Sequence, residues 1–224
     1  MLEGKSRGSM APHTDERPMT ELDRIARHPA LEPLVRAMAG RPPALIEPED
    51  VPRRAAVALL VRLDETREMP APQLLLIKRA TYEGDPWSGH VALPGGRREP
   101  GDATLVRTVT RETWEETAVD LERDGRILGC LDEVEPRTPV LPPIIITPFV
   151  ALVRYDVDIV ASPEVAEWFW VDVDALRDPA VSREVVLELS TGPRAVMSFQ
   201  HGAHTIWGLT ERILRQFLAL APNA

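Results

Sequence analysis

Apolar residues in this chain gather in short runs, set apart by polar and proline-rich stretches. Ala55 to Leu63 (AAVALLVRL) is almost continuously apolar, and Gln73 to Lys78 (QLLLIK) follows it after the polar loop DETREMPAP. Short runs without polar alternation predict neighbouring strands buried on both faces. Val91 to Leu93, Ile127 to Val134, Ile144 to Arg154 and Glu167 to Val173 add further strands, and Val185 to Ser190 is weakly strand-like. Helical spacing appears in Thr205 to Leu220, where Ile206, Leu209, Ile213, Leu214 and Phe217 form one stripe that can pack on a sheet. Residues 19–40 read as two short helices broken by Pro29 and Pro33, with Thr20 as cap and Gly40 as stop. Asp172 to Asp178 contains one more short helix. Strands alternating with a few helices predict a mixed α/β layer protein.

Prolines divide the chain further. Pro42, Pro43, Pro48 and Pro52 mark residues 41–52 as a linker or wrapped arm, and the proline-rich EPRTPVLPP (135–143) reads as a stiff loop able to border a site. Three segments follow: a tail over 1–17, a helical arm with its proline-rich linker over 18–50, and the main domain over 51–222. The tail resembles vector-derived sequence, with Met10 as the expected native start.

Composition narrows the class. The 224 residues are 44% hydrophobic, enough for a sizeable core, and the net charge of −9 argues against general affinity for nucleic acid. The lone cysteine, Cys130, permits no internal disulfide, so a reducing compartment, the cytoplasm, is expected; its apolar neighbours make it an inert core residue. No apolar run reaches the ~18 residues of a membrane span, and the N-terminus has no apolar signal region.

The concentrated chemistry lies between Pro94 and Val119, where a Gly95-Gly96 turn leads into a helix expected to start near Asp102, as its cap, and to end near Thr117. At about 100° per residue, Glu112, Glu115 and Glu116 share one face. Three carboxylates in one turn repel each other unless a cation sits among them, and Mg²⁺ accepts such oxygens while keeping several waters. Without the turn beside it, the same helix would read as a solvated acidic face with ordinary Arg–Glu pairs.

This stretch resembles the Nudix box, G-x5-E-x7-R-E-U-x-E-E-x-G-U with U aliphatic. Arg111-Glu112-Thr113-Trp114-Glu115-Glu116-Thr117-Ala118-Val119 matches its second half, with Thr113 at the first aliphatic position and Ala118 at the glycine. Asp102 stands near the place of the first glutamate, and the Gly-Gly lies one residue further from Arg111 than the common pattern has it. That lengthening resembles the coenzyme A diphosphatase branch, as do Thr147-Pro148-Phe149-Val150 and Ile206-Trp207-Gly208. The branch's upstream signature, L-L-T-x2-S-x3-R-x3-G-x3-F-P-G-G, falls on Lys78, Thr81, Asp85, Gly89 and Leu93, so its arginine is replaced by Asp85 and its phenylalanine by Leu93.

The resemblance implies a Nudix-type α/β/α sandwich with a mixed β-sheet. It also implies hydrolysis of a nucleoside diphosphate linked to another group, with coenzyme A or its derivatives as substrate and Mg²⁺ or Mn²⁺ as cofactor. By the same likeness Glu112, Glu115, Glu116 and the Gly96 carbonyl hold metal and Arg111 orients the carboxylates, while the general base is either a box glutamate or an acid from a distant loop, for which Glu164 and Glu167 are the candidates. Trp87 can stack on a base or pantetheine chain, and Arg97 and Arg98 can bind phosphates. Relatives are often dimers, so a homodimer is expected, with a small nucleotide as partner and no nucleic acid or membrane. Two alternatives stay open: the same hydrolysis on NADH, ADP-ribose or nucleoside triphosphates, and a non-catalytic Nudix ligand-binding module. His90 reads as a strand-edge residue, His201 and His204 lack metal spacing, and Trp168 and Trp170 read as sheet packing.

Overall fold

The computed structural model describes residues 19–47, 53–83, 87–136, 143–189 and 192–220. The tail, Asp85 and most of the proline-rich stretch after Glu135 lie outside these residues. The central sheet has seven strands: β1 (Arg53–Asp64), β2 (Ala71–Arg79), β3 (Val91–Ala92), β4 (Gly95–Arg97), β5 (Gly125–Cys130), β6 (Ile144–Val153) and β7 (Val165–Asp172). Its main path runs β3-β2-β1-β6-β5, with β4 added to β1 and β7 to β2. β1 and β6 run parallel while the other pairs are antiparallel, so the sheet is mixed.

The two long apolar runs are continuous because helices cover both sheet faces. On one face Ala56, Ala58 and Leu60 of β1, Leu75 of β2 and Phe149 of β6 pack with Val109 of α3 (Leu105–Thr117). On the other, Leu59, Val61, Leu74, Leu76 and Leu152 meet α1 (Glu21–Ala26), α2 (Glu32–Ala39), α4 (Val173–Arg177) and α5 (Gly208–Leu220). These layers are the expected α/β/α sandwich. Among the described residues no helix is long and apolar enough to cross a membrane.

The N-terminal arm is part of this core. Ile25, Leu31, Leu34 and Met38 are buried in the same cluster as β1, and Thr20 starts α1 with a reciprocal capping box to Asp23. The proline-rich stretch after Gly40 wraps the domain: Asp132 accepts from the Ala44 amide at 2.7 Å and buried Glu133 from the Ile46 amide at 2.9 Å. Glu133 also takes Arg54 at 2.8 Å and the Thr147 hydroxyl at 2.8 Å, so its charge is fully paired.

The C-terminal third departs from the sequence pattern. The weak strand after Asp178 is a full strand, β8 (Ser182–Leu189), paired with β9 (Gly192–His201), which in turn pairs with β10 (His204–Trp207) as a second sheet. Both β8 and β9 are largely exposed, so neither shows the apolar run that marks a buried strand. The helix expected from Thr205 starts at Gly208 instead, after Thr205 and Ile206 have paired with Gln200 and Phe199. Gly208 turns the chain from strand to helix at φ 68°, in the left-handed region that favours glycine.

Candidate active site

The acidic helix is pressed against the Gly-Gly strand. β4 lies antiparallel to β1, with Gly95 opposite Val57 and Gly96 opposite Ala56. A side chain at Gly95, whose φ is 147°, would come within 2.3 Å of the Ala56 carbonyl oxygen. One at Gly96 would meet the Glu112 carboxyl carbon at 2.4 Å. Gly95 is therefore required by its contact with backbone, whereas a side chain at Gly96 would displace the Glu112 carboxylate; together the two glycines bring backbone directly against the acids of α3.

The turn from β4 to α3 corrects one expectation. Asp102 does not cap the helix; Thr104 does, accepting from the Arg107 amide at 3.2 Å, and α3 starts three residues later than Asp102. Asp102 is buried and faces Arg111 in a two-point pair, Oδ2 to Nη2 at 2.8 Å and Oδ1 to Nε at 3.2 Å. It accepts the Glu99 amide at 3.1 Å as well. These charged and amide donors, Arg111 first, hold its carboxyl well below the usual carboxylate range. Arg111 also donates to Glu112 at 3.0 Å, Glu115 at 2.9 Å and the Arg97 carbonyl at 3.1 Å. A planar fork with five N–H groups can serve all of these at once.

The three acids on the shared face differ in their surroundings. Glu115 is exposed, Glu112 half-buried, and Glu116 only 4% exposed. Glu116 accepts the Gly95 amide at 2.8 Å and stands 3.9 Å from the Arg79 guanidinium. Burial drives its pKa up to about 7; the charges of Glu112 and Glu164 act in the same direction, opposed by the Gly95 amide and Arg79. Burial raises Glu112 too, against the pull of Arg111. Among the described residues no three His, Cys, Asp or Glu side chains already stand as a cage for a metal ion. Arg111 gathers Glu112 and Glu115 while Gly95 holds Glu116. The donor chemistry nevertheless fits a hard divalent cation, because Glu112 and Glu116 are withdrawn from water and each feels the negative charge of neighbouring acids, Glu115 and Glu164 on the first and Glu112 and Glu164 on the second.

Glu164 is brought to this face from a distant loop. The Ser162 amide donates to the Glu116 carbonyl at 3.0 Å and the Val160 amide to the Thr117 carbonyl at 3.0 Å, docking the loop on the end of α3. The proximity registers in the charges, since Glu164 acts on both Glu112 and Glu116. Glu167 stays outside the cluster, 3.2 Å from His204.

The other named residues divide. Arg97 is exposed at the end of β4, only its carbonyl engaged by Arg111 among the contacts described, whereas the Arg98 guanidinium is held on the Asp102 and Ala103 carbonyls at 3.0 and 3.1 Å, bracing the turn. Trp87 is half-buried in the β2–β3 loop, its carbonyl accepting the His90 amide. His90 packs edge-on against Trp207 at 4.8 Å. His201 and His204 both stack on Phe169, at 5.4 and 4.4 Å. Trp170 lies under the Arg62 guanidinium at 4.0 Å.

Arg79 went unremarked in the sequence. Its signal was parity: Leu75, Ile77 and Arg79 alternate along β2, and Leu75 packs on the α3 side, so Arg79 emerges toward Glu116. Tyr82, whose hydroxyl reaches the Pro163 carbonyl at 3.0 Å, gave no such signal.

Comparison with known proteins matches residues 52–189 to the NUDIX domain. An uncharacterized Nudix hydrolase of Enterobacter sp., NudL, is 35% identical over 173 residues, covering 75% of this chain and 83% of that protein. An uncharacterized protein of Schizosaccharomyces pombe is 33% identical over 125 residues, 49% of this chain, and the match spans only 38% of its length. The crystal structure of a MutT/nudix family protein from Enterococcus faecalis superposes with a TM-score of 0.52 at 16% identity, covering 91% of this chain and 75% of that one, and so shares the fold. Across most of its length, and through the strand, turn and helix that assemble these acids, the chain belongs to the NUDIX domain family of hydrolases.

Proposed function

We propose that the protein hydrolyses a diphosphate bond in a nucleoside diphosphate linked to another moiety, with coenzyme A or its derivatives as the substrate class. The observation that carries the reading is the pair of desolvated carboxylates, Glu112 and Glu116, set against the glycine strand with Arg111 beside them. Attack on a diphosphate meets dense negative charge, and this arrangement is suited to gathering cations to offset it. Glu112, Glu115 and Glu116, with the Gly96 carbonyl, would hold Mg²⁺ or Mn²⁺, which when bound supplies charge neutralisation at the phosphate oxygens and a more acidic water.

In this reading Asp102 fixes Arg111, and Arg111 sets the directions of Glu112 and Glu115. Glu164 accepts the proton as water adds to phosphorus and the bridging P–O bond breaks, the leaving phosphate departing with that electron pair. Arg97 would meet a phosphate, and Trp87 an aromatic or pantetheine portion; Arg98 serves the turn. On coenzyme A the products are an adenosine bisphosphate and 4′-phosphopantetheine. The coenzyme A branch is supported by the lengthened box and the Thr147-Pro148-Phe149-Val150 and Ile206-Trp207-Gly208 stretches. Asp85 in place of that branch's arginine favours a second reading, the same hydrolysis on NADH, ADP-ribose or a nucleoside triphosphate. A homodimer in a reducing cytoplasm accompanies either reading, on the family likeness and the lone cysteine.

Kinetics on coenzyme A, NADH, ADP-ribose and nucleoside triphosphates, each with Mg²⁺ and Mn²⁺, test the proposal. A clear preference in kcat/KM for coenzyme A supports it; equal rates on all four point to a broad scavenger. Binding without turnover on any of them leaves a ligand-binding module.

A further inference from the structure

The geometry points to Tyr82 as a positioning residue that latches the β2–β3 loop onto the loop carrying Glu164, and so sets where that carboxylate stands. The inference rests on the hydrolase reading above, with Glu164 as proton acceptor. Tyr82 is 49% exposed, so packing does not account for its position. Its hydroxyl nevertheless donates to the carbonyl of Pro163, the residue before Glu164, at 3.0 Å across a sequence separation of 81.

Further bonds make the latch two-sided. Within the β2–β3 loop, the Tyr82 amide donates to the Ser88 hydroxyl at 2.7 Å and that hydroxyl donates back to the Tyr82 carbonyl at 3.2 Å. The two limbs of the loop are thereby closed on each other next to Trp87. Toward the acids, the Ala80 amide donates to the Glu164 carbonyl at 2.8 Å and the Glu164 amide to the Ser162 hydroxyl at 3.2 Å. The Ser162 amide then reaches the Glu116 carbonyl at 3.0 Å. Glu164 is thus suspended between α3 and the β2–β3 loop by backbone bonds, and the Tyr82 hydroxyl is the one side-chain group that spans from the loop to the Pro163-Glu164 peptide among the bonds described. Because an exposed carboxylate has several rotamers, fixing its backbone is what gives the side chain a defined origin. The latch also ties Glu164 to the loop that carries Trp87, so that seating a substrate there and placing the base become one event.

Tyr82→Phe keeps the ring and removes the hydroxyl. Loss of one hydrogen bond of ordinary strength corresponds to about a fivefold fall in kcat, with KM changed less than twofold. Combined with Glu164→Gln, Tyr82→Phe should lower the rate no further, because it acts through the carboxylate already removed. Hydrogen exchange at the Ala80 and Val165 amides should quicken in Tyr82→Phe, independently of turnover. Unchanged kcat in Tyr82→Phe, a multiplicative loss in the double variant, or unaltered exchange would each overturn the latch. If Glu164→Gln retains full activity, the latch falls while the diphosphatase reading stands. If the parent protein hydrolyses no nucleotide, both fall together.

Discussion

Asp102 and Glu116 are both buried carboxyls, and their surroundings drive them apart. Asp102 has a guanidinium and an amide on its oxygens and stays charged. Glu116 is deeply buried with one amide, an arginine at 3.9 Å and two acidic neighbours, and its pKa rises to about 7. The signs of their contributions to stability are opposite. Because the folded pKa of Asp102 is depressed, its stabilisation is fully present above the ordinary carboxylate pKa and is lost progressively as pH falls from there through the folded value. We expect Asp102→Asn to cost about 2 kcal/mol at neutral pH, as read by urea unfolding, with the deficit shrinking as pH falls below the ordinary carboxylate range. Turnover should fall as well, since Arg111 would be drawn onto Glu112 and Glu115 alone. For Glu116 the folded form keeps its proton up to about pH 7 while the unfolded form releases it near pH ~4. Metal-free stability therefore drops as pH rises between those values. Glu116→Gln should be more stable than the parent at pH 8 in a chelator, by on the order of 2 kcal/mol, and equal to it in acid. On the proposed metal site, Mg²⁺ or Mn²⁺ should raise the melting temperature of the parent, and the same variant should lose that rise and nearly all metal-dependent turnover. Full activity in Glu116→Gln would remove it from the metal-ligand set.

At the scale of elements, α3 shows how a motif and a fold share residues. It ends on Ala118 at φ 57°, where the Ala118 amide closes on the Trp114 carbonyl at 2.8 Å. The family pattern has glycine there, and an L side chain in that conformation is strained. Ala118→Gly should stabilise the protein by about 1 kcal/mol with kcat unaltered, as read by thermal unfolding and steady-state kinetics. A loss of stability would show that the alanine methyl makes packing contacts worth more than the strain. The sequence points to Asp102 rather than Thr104 as the start of α3 because Asp ranks above Thr as a cap by type. Arg111 on the second turn, facing back toward the loop, and the Glu99 amide hold the Asp102 carboxylate instead of the helix amides.

The whole molecule is held to its site by the arm as well as by the sheet. Glu133 joins the wrapped segment through the Ile46 amide, β1 through Arg54 and β6 through Thr147, all from a buried position. Glu133→Ala leaves Arg54 and these polar groups without their shared acceptor. It should cost about 3 kcal/mol in chemical denaturation, a loss larger than any exposed charge substitution would give. A change under about 0.5 kcal/mol would mean that water replaces the carboxylate freely.

The sequence by itself determined the sheet's buried strands, the helical arm with its Thr20 cap, and the acids on one face of α3. These are local facts: periodicity, capping chemistry and the reach of i+3 and i+4 neighbours need no knowledge of the rest of the chain. Tertiary structure decided the exposed strands β8 and β9, whose pairing rather than burial makes them strands. It also decided that Arg79, Asp102 and the Glu164 loop meet the acidic helix. Those residues lie far apart or in turns: parity along β2 gives the side on which Arg79 emerges, but the acid it meets there and the docking of the Glu164 loop are long-range contacts, which a one-dimensional pattern does not contain. The desolvation that separates Glu116 from Glu115 arises in the same way, because neighbours on one helix face differ only in what the fold lays over them.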